Sequence, residues 1–269
     1  MKCLVCDNKM AFFLRKSFDQ GDFSLLMQDI KVVEYHKCDF CGFVASETHF
    51  KMSEERWFVL NKEFHHFLET QETGINQPPY LFQANFLNVL KTNLVLNLDG
   101  GLDYAGGLGT LTKVLRKYFG LELLVFDPYV MDENEGFYLG RQDLGSFDLV
   151  LNSALFEHLR FRDQFDELNS LVSRTGCLAI HTLVCESIPQ DENWFYFEPP
   201  VHCSFHTNKS MQILMDQWGY KGSIYCPSAK MWVLFKDNLR HVESSVLSIN
   251  SEFQTDYLYY KEGFVDYWK

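Results

Sequence analysis

The chain has 269 residues, 46% of them hydrophobic and 16% aromatic, with 36 acidic side chains against 24 basic ones and a net charge of -12. That length allows one sizeable domain, or one domain with a small accessory. The acidic balance and the lack of any Lys or Arg run disfavour nucleic acids and anionic membranes as partners, because both are held by clustered positive charge.

No stretch approaches the roughly 20 uncharged apolar residues that span a bilayer. Residues 1–10 lack the apolar run of a secretory signal, so a cytoplasmic location is expected. In a reducing compartment the eight cysteines point to metal ligands and buried thiols, not to disulfides.

The first motif is a pair of CxxC knuckles, Cys3-Leu4-Val5-Cys6 and Cys38-Asp39-Phe40-Cys41. Two knuckles complete a tetrahedral Cys₄ set, the closed arrangement of structural zinc. Gly42 follows the second pair and permits a left-handed turn. Phe23–Met27 and Lys31–His36 alternate and are expected to be the hairpin strands of a zinc ribbon over residues 1–50. A module this small buries too little surface to stand alone, and a bound metal would supply its stability. His36 and His49 are alternative ligands, each more simply read as a solvated side chain.

Residues 51–79 read as a helical linker. Trp57, Leu60, Phe64, Phe67 and Leu68 recur at helical spacing, Ser53 is a candidate N-cap, and Gly74 and Pro78-Pro79 break the pattern. A second helix, Tyr80 to Leu90, leads into the main domain.

The stretch Leu102-Asp103-Tyr104-Ala105-Gly106-Gly107-Leu108-Gly109 reads as a strand end and glycine-rich turn. An amphipathic helix to Gly120 follows, then an apolar strand ending in Asp127. This is a βαβ unit with glycines at its first turn and, at the tip of its second strand, an acid able to accept both hydroxyls of a ribose. Thr112 stands where a dinucleotide turn has its third glycine. Asp103 would repel a pyrophosphate and suits a cationic ligand. An NAD-dependent oxidoreductase is therefore the poorer reading.

These residues resemble motif I of class I S-adenosylmethionine-dependent methyltransferases, and Phe126-Asp127-Pro128-Tyr129 resembles their ribose-binding strand end. Phe147-Asp148-Leu149-Val150-Leu151-Asn152-Ser153, followed by Phe156-Glu157-His158-Leu159, is similar to their fourth strand and the element after it. Gly176–Ile180 is like the fifth strand. Trp194–Phe197, the segment Pro200-Val201-His202-Cys203-Ser204-Phe205 and a helix over Lys209–Trp218 resemble the methyltransferase domain 23 subgroup. The likeness covers roughly residues 80–236. It departs at Ala105, which replaces the first glycine, and between Asp127 and Phe147, where only Gly136–Gly140 could form a short third strand.

The resemblance implies an α/β fold: a Rossmann-like class I methyltransferase domain (80–240) with a mostly parallel sheet of seven strands or slightly fewer. It implies S-adenosyl-L-methionine held by Asp103, Tyr104, Ala105, Gly106, Gly107, Gly109, Asp127, Pro128, Asp143, Asn152 and Ser153, beside structural Zn²⁺ on the four cysteines. The acceptor it suggests is a small molecule, a sugar or sugar-linked metabolite, because similar zinc modules precede some sugar-modifying members. A hydroxyl or carbon acceptor needs a base, and His158 and His202 are the candidates. His181 reads as a core residue and His206 as a cap of the following helix. The aromatic tail, 241–269, is expected to dock on the domain or on a second copy in a homodimer. Two other readings are a zinc-containing RNA methyltransferase and a non-catalytic zinc-ribbon adaptor with a degenerate domain.

Overall fold

The computed structural model describes residues 1–70, 78–130 and 135–266. The chain opens with strands β1 (Met10–Ser17), β2 (Val32–Cys38) and β3 (Val44–Ser46), then helices α1 (Glu47–Lys51), α2 (Glu54–Thr70) and α3 (Tyr80–Thr92). An alternating stretch follows: β4 (Leu102–Tyr104), α4 (Thr110–Phe119), β5 (Leu124–Phe126), β6 (Phe147–Ser153), α5 (Arg162–Ser170) and β7 (Val172–His181). The chain continues with β8 (Val184–Cys185), β9 (Ser204–Thr207), α6 (Asn208–Trp218), β10 (Gly222–Cys226), β11 (Met231–Phe235), α7 (Leu239–Phe253) and β12 (Tyr259–Glu262).

Two compact units are assembled from interleaved stretches. The first comprises Met1–Gln77, Phe156–Phe165 and Leu183–Ile213; the second comprises Pro78–Leu155, Asp166–Thr182 and Leu214–Lys269.

The first unit is built on a five-stranded sheet in the order β1-β2-β3-β9-β8. Its pairs are antiparallel except β8 with β9. A register shift between Phe12 and Leu14 lets the adjacent Phe13 and Leu14 both reach the core. Phe23–Met27 is not the expected hairpin strand; β1 takes that place. Met27 N–H bonds Phe23 C=O at 3.1 Å, and both side chains are buried while Leu25 between them is 78% exposed. A helical turn turns Leu25 outward, whereas a period of two would bury it with its neighbours. Helix α2 packs Trp57, Leu60 and Phe64 into this core, and the Ser53 hydroxyl accepts the Arg56 N–H at 3.2 Å as an N-cap should.

The second unit holds a seven-stranded sheet in the order β12-β10-β11-β7-β6-β4-β5. The run β5-β4-β6-β7 is parallel, and β11 enters antiparallel beside β7. The segment beside β5 makes only a one-residue parallel bridge, Val125 with Tyr138. Val125 N–H donates to Phe137 O, and Leu139 N–H to Val125 O, both at 2.8 Å. This is the reduced third strand, and the architecture is the Rossmann-like one. Chain order reverses between β4 and β6, so the ligand crevice of such a sheet lies at the carboxyl ends of these strands.

The aromatic tail is no appendage. Helix α7 buries Val242, Val246 and Ile249, and β12 pairs antiparallel with β10. Trp232 stacks on Phe264 with centroids 5.3 Å apart and donates its indole N–H to Val265 O at 2.9 Å. Gly74, Tyr267 and Trp268 lie outside the described residues. Among the described residues no helix is long and apolar enough to cross a membrane.

Candidate functional site

Asp103 and Tyr104 end β4, Asp127 follows β5, and Asn152 and Ser153 end β6. Between β4 and α4 the backbone runs through left-handed conformations at Ala105 (φ 59°), Gly107 (φ 53°) and Gly109 (φ 66°). The loop curls back on Asp103 so closely that a Cβ on Gly106 would stand 2.8 Å from Asp103 Oδ2. A side chain at Gly109 would stand 2.7 Å from the Phe137 ring. The loop can close on Asp103 and Phe137 only because positions 106 and 109 carry no side chains.

Asp103 is 2% exposed. Burial, and then the Asp127 charge, push its carboxyl up to about 8. Its Oδ1 has no hydrogen-bond partner. A buried, unpaired carboxyl oxygen is costly unless a donor reaches it, and a ligand ammonium is such a donor.

Asp127 is fixed by backbone donors. Gly107 N–H reaches Oδ2 at 2.9 Å, and Tyr129 and Val130 N–H reach Oδ1 at 2.8 and 3.0 Å. Tyr138 Oη donates to Gly107 O at 2.8 Å, tying the short third segment to the loop. Thr112 is buried. Its hydroxyl donates to Leu123 O and accepts Leu123 N–H, at 2.9 and 2.8 Å. The residue in the third-glycine position thus holds α4 to the start of β5 by hydrogen bonds, where a glycine would rely on close approach.

Of the remaining residues assigned to this site, Tyr104 is half-buried and packs on Phe126 at 5.1 Å, while Pro128 and Asp143 are exposed. Asp143 Oδ2 accepts Gly140 N–H at 3.1 Å. Asn152 is fully buried with its amide donating to Ala179 O at 3.3 Å and its Oδ1 without a hydrogen-bond partner. Ser153 Oγ accepts the Gln83 amide at 3.1 Å and lies 3.3 Å from His181 Nδ1. His181 ends β7 half-buried, and burial lowers its pKa to about 4. Gln83 and Tyr138 were not anticipated; their positions follow from strand order, which sequence spacing does not give.

The parallel run β5-β4-β6-β7 with its glycine turn after β4 is Rossmann-like. No family model matches the sequence, and no curated protein matches it. Among solved structures the chain is similar to the plantazolicin methyltransferase BpumL in complex with SAH, at 13% identity over 68% of this chain and 93% of that one, with a TM-score of 0.45. It is also similar to a SAM-dependent methyltransferase from Archaeoglobus fulgidus, at 16% identity over 53% of this chain and 72% of the other, TM-score 0.36. Coclaurine N-methyltransferase bound to N-methylheliamine and SAH is a third, at 14% identity over 76% and 73%, TM-score 0.38.

The first unit carries two further clusters. Cys3, Cys6, Cys38 and Cys41 bring their sulfurs within 4.8 Å of one another. The separations Cys3–Cys41 and Cys6–Cys38 are 3.5 Å, and Cys6–Cys41 is 3.6 Å. A tetrahedral zinc with Zn–S near 2.3 Å sets its sulfurs about 3.8 Å apart, so the set fits the ion. Val5 and Cys6 N–H groups point to the Cys3 sulfur, and Phe40 and Cys41 N–H groups to Cys38, as in a zinc knuckle. Gly42 sits at φ 76° with Thr207 against it, and the Thr207 hydroxyl donates to Cys41 O at 2.5 Å.

The second cluster is Glu157, His158 and His202, whose ligand atoms also lie within 4.8 Å of one another. His158 and His202 meet edge to face at 5.1 Å. His202 Nδ1 donates to Tyr196 O at 2.9 Å, which leaves the lone pair on Nε2. Tyr196 Oη donates to Glu157 Oε1 at 2.8 Å. Burial lowers His202 to about 4 and His158 well below its usual value. Both histidines are therefore neutral at pH 7. Glu157 was quoted within a motif but given no role, and Tyr196 was read only as part of an aromatic lid or acceptor wall; the acid beside His158 was the available signal.

His206 is not a cap. Its ring is fully buried against Phe43, Phe156 and Phe165. Thr207 caps α6 instead, its hydroxyl accepting Ser210 N–H at 3.1 Å. His49 is buried as well, with both ring nitrogens bonded, to Ser46 Oγ and Pro200 O at 2.7 and 2.9 Å, and so is neither solvated nor a member of the cysteine cluster. Trp194–Phe197 divides its aromatic residues: Phe197 is buried, whereas Phe195 is 65% exposed.

Proposed function

We propose that the chain transfers the methyl group of S-adenosyl-L-methionine to a small-molecule acceptor. The observation that carries this reading is the buried Asp103, with its unpartnered Oδ1, at the carboxyl end of β4 under a glycine loop. Asp103 would hold the amino group of the cofactor, and the loop from Ala105 to Gly109 would offer its backbone to the amino-acid moiety. Asp127 would take the ribose hydroxyls, with Pro128, Tyr104, Asp143 and Ser153 bordering the nucleoside. Asn152 supports the sheet behind them. When bound, the cofactor supplies an electrophilic methyl for in-line attack; placement of two reactants can contribute roughly 7–11 kcal/mol.

The acid–base chemistry on the acceptor is assigned to Glu157, His158 and His202. Neutral imidazoles accept a proton from a hydroxyl or an activated carbon, and Tyr196 orients both Glu157 and His202. The acceptor class is a sugar or sugar-linked metabolite, the reading that goes with a zinc module on Cys3, Cys6, Cys38 and Cys41. The net charge of -12 disfavours RNA.

Calorimetry with S-adenosylhomocysteine, followed by transfer of labelled methyl to nucleotide-sugar and free-sugar panels, tests this. Micromolar binding that Asp103→Ala abolishes is expected, with label in a sugar. Wild-type protein that binds NAD and not S-adenosylhomocysteine would overturn the reading.

A further inference from the structure

We propose that Glu157, His158 and His202 form a second metal site, distinct from the Cys₄ set, which holds one divalent first-row transition ion through two imidazoles and one carboxylate. The three donors come from the turn Phe156–His158 and from His202, two residues ahead of β9, and their ligand atoms converge within 4.8 Å. An ion at about 2.0–2.2 Å from nitrogen and oxygen donors needs those atoms roughly 3.4 Å apart, a side-chain adjustment of about an ångström.

The supporting contacts are those of a ligand set. A metal-bound imidazole usually donates its other N–H to a carbonyl or carboxylate, which fixes the tautomer. His202 Nδ1 does this to Tyr196 O, so Nε2 presents its lone pair to the cluster. The same residue's hydroxyl donates to Glu157 Oε1 and accepts Leu183 N–H at 3.1 Å, orienting the carboxylate. Cys203 N–H donates to Glu157 O at 2.7 Å, joining the two ligand segments through the backbone.

Burial points the same way. Glu157 is 2% exposed, so its carboxylate is held inside the cluster and away from bulk solvent. His65 on α2 stacks on His158 at 6.2 Å and walls the cluster on that side. Two imidazoles beside a carboxylate suit zinc, iron(II), cobalt(II) or nickel(II) better than magnesium or calcium. Three protein ligands are one fewer than in a closed structural site, and match the sites that keep a position for an exchangeable oxygen. A hydroxyl bound there would lose its proton more readily than in water. The inference deepens the acid–base assignment above: the cluster would act through a cation-bound oxygen in place of a bare imidazole.

Cobalt(II) titration of the full chain, freed of metal with a chelator under reducing conditions, tests the site without cofactor or acceptor. The Cys₄ set gives an intense thiolate charge-transfer band, whereas a His₂Glu set gives only weak d–d absorption. Two equivalents should bind, one developing the thiolate band and one not. Glu157→Gln and His202→Ala should each weaken the second equivalent at least tenfold while keeping the thiolate band. That band also reports that the variant has folded. His36→Ala, in the separate group with Glu34 and Glu47, should change neither. Saturation at one equivalent, retention of the second in both cluster variants, or its loss in His36→Ala overturns the proposal. Failure of S-adenosylhomocysteine to bind would not affect this readout.

Discussion

Asp103 and Gly106 approach each other more closely than any side chain at position 106 would allow, with Asp103 Oδ2 2.8 Å from the place a Cβ would take. Asp103 is buried, so its carboxyl cannot move away cheaply. Gly106→Ala should destabilise the protein by about 1–3 kcal/mol, the usual range for overpacking. It should also weaken S-adenosylhomocysteine binding at least tenfold by pushing the carboxyl off line. Thermal unfolding and calorimetry on the same variant check both effects, and unchanged affinity would remove Asp103 from the cofactor site.

The raised pKa of Asp103 makes its contribution depend on pH. With a folded value of about 8 against 3.8 for an ordinary aspartate, the native state holds a proton that the unfolded chain has released between those limits. Stability from this residue therefore falls as pH rises from about 4 to about 8. Asp103→Asn should flatten that slope. Binding an ammonium group favours the ionised carboxyl, so cofactor binding at pH 7 should release a proton and tighten as pH approaches 8. Calorimetry in buffers of different ionisation enthalpy measures the released proton directly.

Ala105 sits at φ 59° in the loop where glycine would be expected. The left-handed conformation costs an L-residue about 1–2 kcal/mol, partly offset because alanine has less freedom to lose than glycine. Ala105→Gly should raise stability by up to about 1 kcal/mol with cofactor affinity retained. Gly109→Ala makes the contrast, since it adds a 2.7 Å approach to Phe137 to the same backbone strain. Chemical denaturation of the pair should show opposite signs.

Asp103, the glycines and Asp127 were legible in sequence because a βαβ turn places its ligand groups within one short stretch. The two knuckles were legible for a similar reason: chelate spacing is local. What spacing could not carry was the interleaving of the units, in which Phe156–Phe165 and Leu183–Ile213 group with the N-terminal residues. That depends on β3 pairing with β9, about 160 residues away. The same long-range pairing hid the partnership of Glu157 with Tyr196. Phe23 and Met27 misled because a spacing of four suits either a strand or a turn, and only the exposure of Leu25 separates them.

The Cys₄ set predicts a folding dependence on metal. Cys38 N–H bonds Phe43 O, and Thr207 holds Cys41 O, so losing the ion would loosen the strand ends that the knuckles close. Cys38→Ser, or prolonged chelation under reducing conditions, should lower the melting temperature and expose the first unit to proteolysis. Removing one ligand should cost several kcal/mol, well below the roughly 10–16 kcal/mol of a complete structural zinc site. An unchanged melting profile with no bound zinc would show that the cysteines serve only as buried thiols.

His206 offers the clearest acid-stability prediction in the first unit. Both ring nitrogens are buried without a partner among Phe43, Phe156 and Phe165, and burial lowers the pKa to about 3. His49, also buried, is lowered to about 4. For both, the unfolded chain binds a proton near pH 6.5 that the native state refuses, so stability is full above that pH. It declines as pH falls from about 6.5 towards 4, at roughly 1.4 kcal/mol per pH unit for each proton taken up. His206→Leu removes one proton from that difference along with two unsatisfied polar atoms, whose burial costs about 1–3 kcal/mol each way they are counted. The variant should be as stable as the parent or more so at pH 7, and should unfold at a lower pH. A lower stability at pH 7 with an unchanged acid midpoint would mean that the ring is held by a polar contact after all.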